Sequence, residues 1–344
     1  KTLTRRTMSK VLITGGTGFV STNLLPLLLA EGHDISLIDN LSQSVYVPEL
    51  HDRAQFYEAD IRDAEEMESI FKEVKPDVVF HFGGLVSIYD CHNDPVEAAE
   101  NNIIGSINVF NAALASGCDR VIFSETSAVY ENVELPEGGY VEGTSDPTTF
   151  YAASKAAVAL IADSYARTRG LKYTALRYFN IAGPIQDYKR TVPPLFAGVA
   201  IRLLGGNNPI IFGDGTRARD FIHVDDVNAF HVQCLTDERT IGETFNLGMN
   251  NYHSLYQISE IIFDYLKDEI PADYLEYDNM AEINGEAHTI YANINKAMSI
   301  GWKPQKTIRD AIYDTIDYLK LEIEKGNVDP ATFMKDINTK DLKI

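Results

Sequence analysis

Residues 11–20 read Val-Leu-Ile-Thr-Gly-Gly-Thr-Gly-Phe-Val. A short apolar run leads into a glycine cluster and then into a helical pattern. A run that is apolar at consecutive positions, rather than at alternate ones, is a strand covered on both faces. Glycines let backbone approach an anionic group closely. A helix that starts there offers free N–H groups and the positive end of its dipole. Strand, glycine turn and helix in this order are a dinucleotide pyrophosphate cradle. The last glycine of the usual fingerprint is replaced by Ser21, small enough for close helix–sheet packing. Pro26 falls inside the same helix, where a missing N–H predicts a kink.

The pattern repeats through the first half. Ile35-Ser-Leu-Ile, Val78-Val-Phe and Val121-Ile-Phe are further runs, with helical stretches such as Ala64–Lys75 and Asn102–Ser116 between them. Repeated strand–helix–strand units imply a parallel sheet with right-handed crossovers. The expected fold is α/β: a Rossmann-type doubly wound parallel sheet with a smaller C-terminal α/β substrate lobe. The expected division is a nucleotide domain over residues 8–178 and the lobe over 179–344, the chain being free to cross between them. Beyond about residue 180, irregular loops and scattered helices are expected. The basic segment Lys1 to Thr7 reads as an expression remnant or a short disordered arm, with Met8 as the natural start.

Composition narrows the partners. The 344 residues carry a net charge of −20. Such a surface repels nucleic acid and anionic membranes, so a phosphate-bearing ligand must be held by local positive groups. No run reaches membrane-spanning length. Three scattered cysteines, Cys91, Cys118 and Cys234, suit buried thiols in a reducing cytoplasm. The histidines form no metal spacing, and no metal site is expected.

The second strand ends in Ile38-Asp39-Asn40 and the third in Ala59-Asp60-Ile61. A carboxylate at Asp39 would accept both hydroxyls of an adenosine ribose and repel a 2′-phosphate, which favours NAD over NADP. Asp60 is placed for the adenine amino group. Each also reads as a helix N-cap or turn residue. Tyr151-Ala-Ala-Ser-Lys155 opens a helical stretch through Ala166, and residues four apart share a helix face. The pair reads either as a solvated face or as a phenol whose pKa a neighbouring ammonium lowers, giving a base for work near neutral pH.

With these residues in hand, the chain resembles the extended short-chain dehydrogenases, specifically the NAD-dependent sugar-nucleotide epimerases and dehydratases. The resemblance spans about Lys10 to Leu319. It rests on the glycine turn, Asp39-Asn40, Asp60-Ile-Arg-Asp, His81-Phe-Gly-Gly-Leu85, Asn102-Ile-Ile-Gly-Ser, Ser124 to Tyr130, Tyr151 to Lys155, Arg177-Tyr-Phe-Asn180, Gly213 to Asp226 and Gly301-Trp-Lys-Pro304. The wording of His81–Leu85 and Leu176–Asn180 is most similar to the 4-epimerase branch.

That resemblance implies NAD as cofactor and a nucleotide sugar, a UDP-hexose first, as substrate. It implies that Tyr151 takes a proton from a sugar hydroxyl while hydride passes to NAD from the same carbon. Lys155 would hold the nicotinamide ribose, and Thr126 would share the hydrogen bond to the reacting oxygen. The keto sugar would turn over, and hydride would return to its other face. The implied cofactor contacts are Gly15, Thr17, Gly18, Phe19, Val20, Asp39, Asn40, Asp60, Ile61, Phe82, Gly83, Gly84, Ser124, Tyr151, Lys155 and Tyr178. The implied substrate contacts are Val86, Asn102, Thr126, Asn180, Val192 and Arg219. An ion pair of Arg219 with Asp220 or Asp225 is the structural alternative.

Departures from the pattern shape the expected reaction. Dehydratases carry an acid and a base after the catalytic hydroxyl; here Ser127 and Ala128 stand there, and alanine cannot abstract a proton. Glu125 points to the opposite face of an extended strand from Thr126 and reads as a structural carboxylate. Ile283 stands where a second phosphate-binding arginine is usual, with Arg217, Arg190 or His288 as substitutes. Glu131 replaces a glycine, Val86 a lysine, and Ile290 occupies the gate for the C2 substituent. The expected activity is therefore 4-epimerisation. A 4,6-dehydratase or 4-oxidase is the alternative within the family, and a non-catalytic NAD-binding regulator the alternative outside it. The helices led by Asn102–Ser116 and Tyr151–Ala166 are expected to pair in a homodimer.

Overall fold

In a computed structural model, the structure describes residues 8–44, 47–190, 192–270, 275–280 and 287–334. The expectations for Lys1–Thr7 and for Ile283 lie outside the described residues. Six strands in chain order are β1 (Lys10–Thr14), β2 (Asp34–Asp39), β3 (Gln55–Glu58), β4 (Val78–His81), β5 (Arg120–Thr126) and β6 (Tyr173–Tyr178). A seventh, Glu243–Leu247, returns from the second half of the chain and pairs with β6. All run parallel, in the order Glu243–Leu247, β6, β5, β4, β1, β2, β3.

The period of the strand sorts the core into two layers. Val11 and Ile13 face Leu24, Leu25 and Leu28 of the helix Phe19–Ala30, while Leu12 faces Met67, Phe71 and Phe110 on the other side. Each of these side chains is completely or almost completely buried, which is worth roughly 1.5–3 kcal/mol apiece relative to exposure. Pro26 lies on the exposed side of its helix, which remains continuous through it. Other helices have the ends their residues dictate. Asp63 caps Ala64–Val74 by accepting the Glu66 N–H, and Lys75 closes it in the left-handed region at φ 50°. The helix expected from Asn102 begins as a π-helical turn, Glu100–Ile104, and continues as Gly105–Ser116.

Beyond residue 180 the chain is more regular than its sequence suggested. Helices Leu195–Leu204, Leu255–Leu266 and Ile308–Glu324 enclose a separate core around Phe196, Ile258 and Ile312. Two of them open with capping boxes, Ser254/Gln257 and Thr307/Asp310. Strand order reverses at β1, between β4 and β2. A doubly wound sheet opens a crevice at the carboxyl ends of its strands at that point, and Thr14, Asp39, His81, Thr126 and Tyr178 are the residues that end there.

Candidate active site

A cavity of about 500 Å³ opens at the switch point. Its floor is the glycine turn. Gly15 has φ 66°, and a Cβ there would meet the Gly83 nitrogen at 2.7 Å. Only glycine combines that dihedral with that approach. The Ser21 hydroxyl donates to the Gly15 carbonyl at 2.5 Å, so the departure from the three-glycine fingerprint pins the turn. The Asp39 carboxylate lines the cavity and accepts the N–H groups of Thr17 at 3.0 Å and Leu41 at 2.8 Å.

Behind this floor runs a buried hydrogen-bond chain. The Gly83 N–H donates to Thr14 Oγ1 (3.2 Å), which meets His81 Nδ1 at 2.7 Å. His81 Nε2 meets Ser106 Oγ at 2.9 Å, and the Ser106 hydroxyl donates to the Asn102 carbonyl. Since Ser106 spends its proton on that carbonyl, Nε2 carries the imidazole hydrogen and Nδ1 accepts from Thr14. Burial pushes His81 down to about 3, so it stays neutral. The Asn102 side chain takes the Leu85 N–H (2.7 Å) and donates to the Leu85 carbonyl and to Ser154.

The chemical end lies at the tips of β5 and the helix Phe150–Arg169. Thr149 caps that helix, which puts Tyr151 in its first turn and Lys155 one turn later on the same face. Thr126 hydrogen-bonds to the Tyr151 phenol. The Lys155 ammonium, 6% exposed, donates to Ser124 Oγ at 3.1 Å. Burial depresses Lys155 to about 8, against the opposing charge of Glu125. The phenol departs from expectation. Its pKa is raised, because burial outweighs the Thr126 hydrogen bond, and Lys155 spends its contact on Ser124 rather than on Tyr151.

Glu125 belongs to β5, and its register partner across the sheet is Arg177. The guanidinium grips it in a fork, Nε to Oε2 at 2.7 Å and Nη2 to Oε1 at 3.0 Å, with side chains 1% and 6% exposed. Arg177 also donates to the Tyr130 hydroxyl (2.6 Å) and to the Glu142 and Thr144 carbonyls. Glu125 is therefore the anchor of a structural cation.

Most residues expected at the site meet in this one cavity. Gly15, Gly18, Phe19, Val20, Asp39, Asn40, Ile61, Phe82, Gly83, Gly84, Ser124, Tyr151, Lys155 and Tyr178 line it, with Val86, Thr126, Asn180, Val192 and Arg219. Three do not line it. Asn102 is 1% exposed and spends its amide on Leu85 and Ser154, so it shapes the loop behind the cavity instead of reaching a substrate. Asp60 is held by the Arg62 guanidinium at 2.7 and 3.0 Å and by Asn40, which keeps its carboxyl down at about 2. Thr17 meets Asp39 through its backbone, and its own hydroxyl is buried.

Nearer the mouth, Arg219 donates to the Ala218 and His288 carbonyls. Asp220 accepts the Met249 and Ala292 N–H groups, and Asp225 lies against His223 and Lys306. Of the three substitutes for Ile283, Arg190 lines the cavity, braced by Asp187 at 2.8 Å. Arg217 is 7% exposed, and His288 bonds Thr216 and Thr289. Sequence reasoning passed over the His81 chain, the Arg177 grip and the Tyr178–His231 contact at 2.6 Å. Polar Thr14 and His81 at the ends of apolar runs were the available signal for the first.

The cradle fits a dinucleotide. Glycine approach at Gly15, a helix N-terminus behind it, and an acidic strand end at Asp39 are its parts. The family model described as the NAD dependent epimerase/dehydratase family matches residues 11–248. A UDP-glucose 4-epimerase of Lacticaseibacillus casei is 30% identical over 325 residues, 89% of this chain and 95% of its own. The crystal structure of a UDP-glucose 4-epimerase from Thermotoga maritima, with UDP-glucose, matches with a TM-score of 0.85 at 28% identity, over 91% of this chain and 99% of that one. A dTDP-glucose 4,6-dehydratase from Streptomyces venezuelae, with NAD and TYD bound, matches with a TM-score of 0.82 at 25% identity, over 94% and 99%. The chain belongs to the NAD-dependent epimerase/dehydratase family, with NAD as its cofactor, among the sugar-nucleotide epimerases.

Proposed function

We propose that the chain interconverts the C4 epimers of a UDP-hexose by transient oxidation at C4. The observation that carries the reading is the convergence of Thr126, Tyr151 and Lys155 in one cavity, with Ser127 and Ala128 beside them. NAD supplies the hydride acceptor and donor for this chemistry. Glycine-turn residues, Asp39, Ser124, Lys155 and Tyr178 would hold it.

Tyr151 takes the proton of the C4 hydroxyl and later returns one to the C4 oxygen. Thr126 shares the hydrogen bond at that oxygen and lowers the cost of the phenolate, which burial otherwise raises. Arg190 brings positive charge toward the same phenol. Ala128 offers no base for removing a C5 proton, which favours hydride return to the keto sugar over loss of water. Asn180, Arg190 and Arg219, all lining the cavity, supply the polar and cationic contacts that a diphosphate needs in a protein of charge −20.

The same reading assigns residues 8–178 to the cofactor and 179–344 to the substrate, with Glu243–Leu247 returning to the sheet. A homodimer through the helices led by Asn102–Ser116 and Tyr151–Ala166 is supported by apolar Ile104 and Leu160, exposed at 47% and 72%. Free Cys91, Cys118 and Cys234 support a reducing, cytoplasmic setting. The test is incubation with a panel of UDP-hexoses and chromatography for C4 epimers. A released 4-keto product would replace the reading with the dehydratase or oxidase, NADH release singling out the latter. No conversion, together with unchanged biological activity of Tyr151→Phe, would make the chain an NAD-binding regulator.

A further inference from the structure

Glu131 directly follows the 3-10 turn Ser127–Tyr130, five residues after Thr126. Its side chain lines the active cavity and is 8% exposed. Both oxygens are engaged. Oε2 accepts the N–H groups of Thr148 and Thr149 at 2.9 and 2.7 Å, and Oε1 accepts the Thr149 hydroxyl at 2.9 Å. Thr149 is the N-cap of the helix that carries Tyr151, and its own hydroxyl accepts the Ala152 N–H. The helix thus already has its cap. What the carboxylate adds is a fixed distance between that cap and the turn after Thr126. A buried carboxylate with three donors at the positive end of a helix is held tightly.

We propose that Glu131 is a positioning residue: it ties the turn after Thr126 to the cap before Tyr151, and so holds the two reacting hydroxyls in hydrogen-bond contact. The inference rests on the reading of Tyr151 as proton carrier. The charged and titratable groups that act on the Tyr151 phenol are Cys91 on the helix Ile88–Asn93, Arg190 on the loop after Asn180, and Glu131 itself, while Lys155 on its own helix is turned to Ser124 and feels Glu125 at the end of β5. Arg190 favours the phenolate, whereas Cys91 and Glu131 oppose it. Two substitutions therefore act in opposite directions. Glu131→Gln keeps an acceptor for the clamp but removes the negative charge, which eases ionisation of the phenol. Glu131→Ala removes the same charge and the clamp with it, and because Thr126 acts on the phenol more strongly than the Glu131 charge does, loss of the Thr126 hydrogen bond sets the net direction, against ionisation.

The experiment compares Glu131→Gln, Glu131→Ala and Tyr151→Phe with the unmodified protein, as NAD-loaded enzyme. It measures kcat and KM for UDP-hexose epimerisation over a pH series, with NAD content and circular dichroism as controls. In Glu131→Ala, kcat is expected to fall by about ten- to a hundredfold with little change in KM, and the acid limb of kcat to move to higher pH. In Glu131→Gln the limb moves to lower pH, with kcat within about tenfold. A folded, NAD-loaded Glu131→Ala with kcat within about twofold of the parent overturns the proposal. If Glu131→Ala does not fold, Glu131→Gln decides, and an unmoved acid limb overturns it. Turnover surviving in Tyr151→Phe refutes the Tyr151 reading instead, since that readout does not depend on Glu131.

Discussion

Replacing Glu125 with glutamine removes one charge and little volume from the centre of the sheet. The guanidinium of Arg177, 6% exposed and previously gripped at 2.7 and 3.0 Å, is left without its counter-charge. Breaking a buried pair from one side costs about 3–5 kcal/mol, whereas replacing both partners by apolar groups of similar volume is often neutral. At about 2.1 cal/mol/K of unfolding entropy per residue, a chain of this length shifts its melting midpoint by about 1.4 °C per kcal/mol, so a fall of about 4–7 °C is expected. Arg177→Met should cost more, because the Tyr130 hydroxyl and the Glu142 and Thr144 carbonyls lose a donor with it. Glu125→Leu with Arg177→Met should recover much of the loss from Glu125→Gln, offset by those orphaned groups. The assay is thermal and denaturant unfolding of Glu125→Leu, Arg177→Met and the double variant, treated as a double-mutant cycle, with Glu125→Gln measured beside them. A Glu125→Gln protein within about 1 kcal/mol of the parent would refute the argument, since it would mean that Arg177 needs no counter-charge.

Thr126→Val removes the hydrogen bond that holds the Tyr151 phenol down, so the acid limb of kcat should move to higher pH and turnover drop by about tenfold or more, read from a pH profile. Lys155 is depressed to about 8 from an ordinary value of 10.5, so the unfolded chain binds more protons between those limits. Its contribution to stability therefore rises as pH climbs from about 8 to 10.5, and in nucleotide-stripped protein Lys155→Met should remove that rise from the pH dependence of unfolding. Asp39→Ala frees the backbone of Thr17 and Leu41 and removes the charge that repels a 2′-phosphate; NAD affinity should fall about tenfold or more while preference over NADP shrinks, as measured by nucleotide titration. Gly15→Ala places a Cβ at 2.7 Å from the Gly83 nitrogen at φ 66°, and should cost about 1–3 kcal/mol and most of the NAD affinity, as calorimetry would register.

What the sequence made legible was what depends on neighbours along the chain. The apolar runs at 11–13, 35–38, 78–80 and 121–123 all became strands, and Tyr151 and Lys155 share a helix face because four residues make a turn. What depends on register between distant segments stayed hidden. Glu125 finds Arg177 only because β5 and β6 align in parallel at that step. Asn102 looked like a ligand contact, yet its amide is consumed 17 residues upstream at Leu85. The phenol of Tyr151 was expected to be lowered by Lys155, and helix spacing says nothing of the burial that raises it. The lobe after residue 180 was legible only as scattered helices because long connections separate them, although the caps of two are written in Ser254/Gln257 and Thr307/Asp310.

The chain from Gly83 through Thr14, His81 and Ser106 to Asn102 has a consequence for how this sequence is free to vary. Each of the three middle side chains passes on a hydrogen and accepts another, so the direction of every link is set by its neighbours. Thr14→Val leaves two orphans at once, the Gly83 N–H and His81 Nδ1, and Ser106→Ala strands the imidazole hydrogen. A single replacement preserves the chain only if it keeps the hydroxyl, as serine at 14 or threonine at 106 would; any other change on β1, β4 or the helix Gly105–Ser116 calls for a compensating one. The floor is therefore a collective feature: Thr14 and His81, 67 positions apart, depend on each other for their hydrogen bonds, and a change at one that removes its donor or acceptor weakens the other.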